Sequence, residues 1–159
     1  MTAIRHRIIV ASVLEQCGRF LCIEEMVDGL LKLSQPAGKL EVGETPIQGA
    51  VRETREESGY SFLPTHLVGI YEYYYSASQT IYLRLAYTGA VFAPEGPLTQ
   101  PTDPSIHAVH WLTYEQLDRA RERHRSPFVM QCVDDYLLGR SFPLDIVTSF
   151  LPARPRESG

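Results

Sequence analysis

One segment, Thr45 to Gly59, restricts the chain more than any other, because both boundaries of a helix are written into it. Thr45 is a good N-cap, Pro46 suits the first helical position, and Gln48 stands three residues after the cap, completing a capping box. Gly59 lies just past the far end, where a left-handed residue is favoured, so the spacing predicts a helix over Pro46 to Ser58. Ile47, Ala50, Val51, Thr54 and Ser58 recur at offsets of three and four, forming one stripe of apolar and small residues able to pack on a sheet. At roughly 100° per residue, Glu53, Glu56 and Glu57 fall together within an arc about 100° wide, on the side away from that stripe.

Carboxylates at these spacings lie about 5–6 Å apart and repel one another unless a cation sits between them. Hard oxygen donors with no convergent histidine or cysteine select Mg²⁺, with Mn²⁺ as a substitute, over zinc, and Mg²⁺ commonly shares its shell with a substrate phosphate. A Glu-rich helix face taken alone is more often merely solvated. The wider spacing weighs against that: Gly38, five residues, Glu44, seven residues, Arg52-Glu53, then Glu56-Glu57, and Gly59 followed by Tyr60. Seven fixed residue types would coincide by chance on the order of once in 10⁸ windows.

This array resembles the signature of the Nudix superfamily across the whole box, residues 38–60, with Thr54 standing where an aliphatic residue is usual. The resemblance implies a Nudix fold and a metal-dependent pyrophosphohydrolase, with Glu53, Glu56 and Glu57 binding the metal. It also implies the Ala37 carbonyl, beside Gly38, as a further ligand, and Glu44 and Arg52 as the pair that orients the carboxylates. Outside the box, Gln35 to Glu41, Arg125-Ser126-Pro127 and Phe142-Pro143-Leu144 are similar to the NudJ-type phosphatases of that superfamily. That similarity implies removal of terminal phosphate from nucleoside tri- and diphosphates and from thiamine-pathway pyrophosphates. The alternatives are a nucleotide-pool or dinucleotide-type enzyme that releases a nucleoside monophosphate and, from another class, a non-catalytic nucleotide-binding module, whose expected mark is a broken carboxylate set.

The remaining pattern predicts an α/β fold, a mixed β-sheet flanked by helices, in a single domain over 1–159 with its core at about 3–139 and a short C-terminal extension. Strands are expected over Arg7 to Leu14 and Arg19 to Glu24, joined as a hairpin through Gln16, Cys17 and Gly18. Leu31 to Leu33 is a short strand, and Ser34 to Gly38 a loop without regular structure. Further strands follow over His66 to Tyr75, Thr80 to Phe92 and His107 to Leu112, with a proline-rich loop from Ala93 to Ser105. Thr113 with Gln116, and Ser126 with Pro127, open two later helices.

For the general base, Glu53 ranks first because it borders the metal arc and adjoins Arg52, and Asp103 of the proline-rich loop ranks second. Tyr71, Tyr73 and Tyr75 alternate along a strand and so share one face, where they either stack on a substrate ring or pack as ordinary strand residues. Arg125, the last of the basic cluster from Arg119, is a candidate contact for distal phosphate, and Trp111 reads as core. A net charge of −4 offers no basic field for a nucleic-acid polymer, so a small-molecule phosphoanhydride substrate is expected. The apolar run Ile8 to Leu14 is too short for a secretory core or a bilayer span, so no membrane association and a cytoplasmic location are expected. Cys17, Cys22 and Cys132 read as reduced core thiols, and the pattern leaves monomer and homodimer open.

Overall fold

The structure, a computed structural model, describes residues 4–94 and 103–151. In chain order the strands are β1 (Arg5–Ser12), β2 (Glu15–Gln16), β3 (Arg19–Val27), β4 (Leu30–Ser34), β5 (Ala37–Lys39), β6 (Ser61–Tyr75), β7 (Thr80–Phe92) and β8 (Ile106–Thr113). The helices are α1 (Pro46–Ser58), α2 (Tyr114–Arg119) and α3 (Phe128–Leu137). One sheet has the order β5-β1-β7-β6 and is mixed, since β1 runs parallel to β7 while the other pairs are antiparallel. The second is antiparallel, with β3 central, β2 and β4 paired to it, and β8 also on it. This is the expected α/β class with a mixed sheet, and most of the proline-rich loop together with residues 152–159 lies outside the described residues.

The expected hairpin between the first two long strands is corrected. β1 stops at Ser12, and the fully buried Val13 and Leu14 carry the chain into the other sheet, where the two-residue β2 pairs with β3. One apolar run thus serves two sheets, which period-two patterning cannot reveal. The turn Cys17–Gly18 is left-handed at both residues, φ 52° and 74°, and Cys17 is exposed rather than a core thiol. Cys22 and Cys132 are buried.

The loop expected over Ser34 to Gly38 is also corrected, because Ala37–Lys39 forms the edge strand β5, with Ala11 opposite Ala37 and Val10 opposite Gly38. Pro36 has no N–H to give, but its carbonyl accepts from Ser12 N (3.1 Å), and an edge tolerates both proline and glycine. The strand expected from His66 begins earlier, at Ser61, and β6 runs past Pro64 through register shifts. Ser126 does not cap α3 with its side chain: its buried hydroxyl has no partner, and only its carbonyl accepts, from Val129 N (3.3 Å).

α1 starts and ends as its residues dictate. Thr45 Oγ1 accepts from Gln48 N, Gln48 returns the bond to Thr45 N, and Gly59 closes the helix at φ 77° with its N–H on the Arg55 carbonyl. Ala50 packs into a core with Val10, Leu14, Leu21, Phe62, Leu85 and Tyr87, with Ile47 and Val51 at its margin. α3 contributes Val129, Met130, Cys132 and Val133 to a second core built on Val13, Phe20, Cys22, Val68 and Ala86. Thr54, the departure from the usual aliphatic, is fully buried and satisfied: it donates to the Ala50 carbonyl (2.7 Å) and shares a second hydrogen bond with Ser12 Oγ (2.7 Å). Among the described residues no helix is long and apolar enough to cross a membrane.

Candidate active site

The β5 edge and α1 face each other because Gly38 has no side chain. A Cβ at Gly38 would overlap the Glu53 carboxylate, so the glycine creates the space in which that group lies. One residue earlier, Ala37 N donates to Glu57 Oε2 (2.7 Å). Glu57 is therefore not on the open side of α1, as its helical angle suggests, but 5% exposed against β5. The sheet edge has closed over one flank of the arc, which one-dimensional periodicity cannot anticipate.

Arg52 organises the remaining carboxylates. Its Nε and Nη2 reach both oxygens of Glu44 (2.9 and 2.7 Å), while Nη1 donates to Glu53 Oε1 (2.7 Å) and Glu56 Oε2 (3.2 Å). Nη2 also donates to the Lys39 carbonyl (3.1 Å), tying the helix to the end of β5. The guanidinium holds the Glu44 carboxyl below its ordinary range. Burial has the opposite effect on Glu53, whose pKa is raised despite Arg52. For Glu57, burial pushes the carboxyl up to about 9, opposed by the Ala37 N–H and reinforced by the charges of Glu53, Glu25 and Asp103.

These donors fit a hard divalent cation: an all-oxygen set in which Glu57 is buried and Glu56 half exposed, with burial raising the pKa of Glu53 and Glu57. Among the described residues no three such groups converge as a cage; Arg52 bonds one oxygen each of Glu53 and Glu56, and Ala37 N one oxygen of Glu57. Asp103 stands at the other end of the helix, its N–H on the Glu56 carbonyl (3.3 Å) and its Oδ1 accepting from Ser105 N and Oγ (2.8 and 2.7 Å).

The tyrosines lie on another part of the mixed sheet. Tyr71 and Tyr73 pack against Phe128 of α3 (ring centroids 6.1 and 5.9 Å), Tyr75 lies 6.4 Å from Tyr73, and the Tyr71 hydroxyl already donates to Asp135 Oδ2 (2.9 Å). Tyr73 and Arg125 line a cavity of about 370 Å³ together with Arg121, His124, Ser126 and Met130. A larger depression of about 540 Å³, lined by Thr65, His66 and Pro143 among others, contains none of the carboxylates. The basic cluster is largely engaged: Arg121 on Asp118 (2.7 Å), Arg123 on Glu24 and Arg125 on Glu25. Trp111 is bonded through Nε1 to the Tyr60 hydroxyl (3.1 Å) and packs at the core margin. Sequence reasoning passed over Glu25, a strand carboxylate 6% exposed; two adjacent acids closing an otherwise buried strand were the available signal.

Residues 5–131 match the family model described as the NUDIX domain. The chain is 33% identical over 146 residues to "Phosphatase NudJ" of Shigella boydii and of Escherichia coli K12, covering 92% of this chain and 93% of each relative. Among solved structures it resembles a NUDIX hydrolase from Nitrosomonas europaea, with a TM-score of 0.86 and 39% identity over 92% of this chain and 98% of that one. A MutT NUDIX hydrolase from Burkholderia pseudomallei, at 16% identity and a TM-score of 0.68 over 82% of this chain and 98% of that one, shares the fold.

Proposed function

The chain belongs to the NUDIX family and is a hydrolase acting on pyrophosphate bonds; from that premise we propose that it works with Mg²⁺ and removes terminal orthophosphate from nucleoside tri- and diphosphates or thiamine-pathway pyrophosphates. The observation that carries this reading is the reach of the similarity to the NudJ phosphatases: it spans 92% of the chain, well beyond the helix motif. In this reading Glu53, Glu56 and Glu57 hold the cation with the Ala37 carbonyl. When bound, the ion neutralises phosphate oxygens and makes water more acidic.

The chain's own residues do the rest. Arg52, anchored on Glu44, sets the carboxylate positions, and Glu53 accepts the proton of the attacking water, with Asp103 as the second candidate. Tyr73 and Arg125 offer the organic group and distal phosphate a cavity with an aromatic wall and a cationic rim, with Tyr71 and Tyr75 beside Tyr73. The test is to incubate a nucleoside triphosphate with enzyme and Mg²⁺ and resolve the first products by ion exchange. Orthophosphate with nucleoside diphosphate is expected. Pyrophosphate with nucleoside monophosphate places attack at an inner phosphorus and overturns the terminal cut, and no product at all indicates a binding module.

A further inference from the structure

His124 stands on the segment that borders β4, where it forms a parallel bridge with Leu33 and the Arg125 N–H donates to the Leu33 carbonyl (2.9 Å). Its side chain walls the cavity of about 370 Å³ that Tyr73, Arg125 and Ser126 also line. His124 Nε2 lies 3.0 Å from the Leu117 carbonyl, and a carbonyl can only accept, so Nε2 carries a proton. Leu117 is fully buried in α2, which fixes the ring together with its tautomer. In the neutral ring Nδ1 is then a bare acceptor, and no group among the described residues donates to it.

Burial lowers the pKa of His124 below the ordinary 6.5; the Leu117 carbonyl opposes this and the charge of Arg121 adds to it. Near pH 7 the ring is therefore neutral. Two residues on, Ser126 Oγ is buried and unpartnered, a costly arrangement for a hydroxyl able both to donate and to accept. The arginines of the same wall are committed to acids, Arg121 to Asp118 and Arg125 to Glu25. The unspent hydrogen-bonding capacity of the cavity thus includes a fixed acceptor, His124 Nδ1, and a rotatable hydroxyl, both beside the Tyr73 ring.

We propose that His124 and Ser126 make this cavity selective for a heteroaromatic ring carrying an exocyclic amino group beside an unprotonated ring nitrogen. This rests on the reading above that gives the cavity to the organic group of the substrate. The amino group donates to His124 Nδ1, and the Ser126 hydroxyl, turned about χ1, donates to the ring nitrogen. Cytosine and adenine carry that edge. Uracil and hypoxanthine present the reverse, a carbonyl oxygen facing the Nδ1 lone pair beside a ring N–H. His124 cannot adapt by exchanging tautomers, because the Leu117 carbonyl holds the proton on Nε2. The oxo ring therefore leaves a polar group of the site unpaired, which is the effective way to reject a close analogue.

The test is equilibrium dialysis of the full chain against cytidine monophosphate and uridine monophosphate, which differ only at this edge. Neither contains a phosphoanhydride, so binding is read without turnover. Wild type is expected to bind the cytidine nucleotide about tenfold or more tightly than the uridine one. His124→Gln can still donate to Leu117 but has no acceptor at the Nδ1 position, and it is expected to bring the two affinities within about twofold. Equal affinities in wild type, no binding of either nucleotide at millimolar concentration, or a wild-type ratio in His124→Gln overturns the proposal. If circular dichroism shows that His124→Gln does not fold, Ser126→Ala decides: a smaller ratio supports the proposal and an unchanged ratio overturns it. Cytidine selectivity in a protein that hydrolyses no nucleoside triphosphate leaves this inference standing and sinks the reading of function instead.

Discussion

Arg52 and Glu44 meet at two points, Nε to Oε2 at 2.9 Å and Nη2 to Oε1 at 2.7 Å, across the start of α1. Glu44 Oε1 also accepts the Glu41 N–H (2.8 Å), so the pair pins the approach loop as well as the helix. The third guanidinium nitrogen, Nη1, is thereby left to serve Glu53 and Glu56. Only a planar fork can do all of this at once. Arg52→Lys keeps the charge and loses the fork, so it is expected to fold normally yet weaken Mg²⁺ activation by about 10–100-fold, as a Mg²⁺ titration of turnover would measure. A lysine variant with wild-type Mg²⁺ dependence removes Arg52 from the positioning role.

Glu56→Gln and Glu57→Gln are each expected to lower turnover by on the order of 10³ or more, equivalent to about 4 kcal/mol of transition-state stabilisation. Stability should move the other way. A glutamine at 57 still accepts the Ala37 N–H and, unlike the carboxyl, needs no proton taken up on folding, and at 56 it removes one member of a repelling set. The melting temperature of the metal-free variants should therefore hold or rise. Near-normal activity sinks the ligand assignment, and a large fall in melting temperature makes the residue structural.

The capped helix, its bounds and the company of Gly38, Glu44 and Arg52 were legible in the sequence, because cap chemistry and fixed spacing act within one short segment. The closure of β5 over Glu57 was not, since it depends on β1 supplying Ala11 and Val10 as partners from far along the chain. The two-sheet division of the run from β1 to Leu14 was hidden for the same reason. The buried setting of Glu25 was hidden because its partners, β8 and Arg125, lie far from it in sequence. Tyr73 and Arg125 were each singled out, but only the packing of α3 against β6 brings them to one cavity.

The pH dependence of the metal-free protein follows from Glu57. Burial, opposed by the Ala37 N–H and reinforced by neighbouring carboxylates, raises its folded pKa to about 9 from an ordinary 4.5. Between those values the unfolded chain has released the proton that the fold still holds, so this group's contribution to stability declines as pH rises through the interval. With chelator present, the melting temperature of wild type relative to Glu57→Gln should fall from about pH 5 to about pH 9. Mg²⁺ competes with that proton, so its stabilising shift should grow over the same range. A difference between the two proteins that is flat with pH, or no Mg²⁺ shift at millimolar concentration, contradicts the buried-carboxylate account.

Gly38 gives the sharpest separation of stability from activity. It sits in β5 opposite Val10, and the three nearest atoms to a Cβ built there are all in the Glu53 carboxyl group. That obstacle is the far end of a flexible side chain, so Gly38→Ala can be accommodated if Glu53 turns away, with β5 still paired to β1. The fold should survive with a melting temperature near wild type, since an edge strand tolerates alanine at least as well as glycine. Glu53, however, leaves the position in which Arg52 holds it at 2.7 Å. A displacement of that kind at a reacting centre costs on the order of 10² in rate. Gly38→Ala should therefore melt like wild type, keep the Arg52–Glu44 pair, and lose about 10² in turnover at saturating Mg²⁺. Full activity in a folded Gly38→Ala protein would show that Glu53 need not occupy the space this glycine leaves, and would pass the role of base to Asp103.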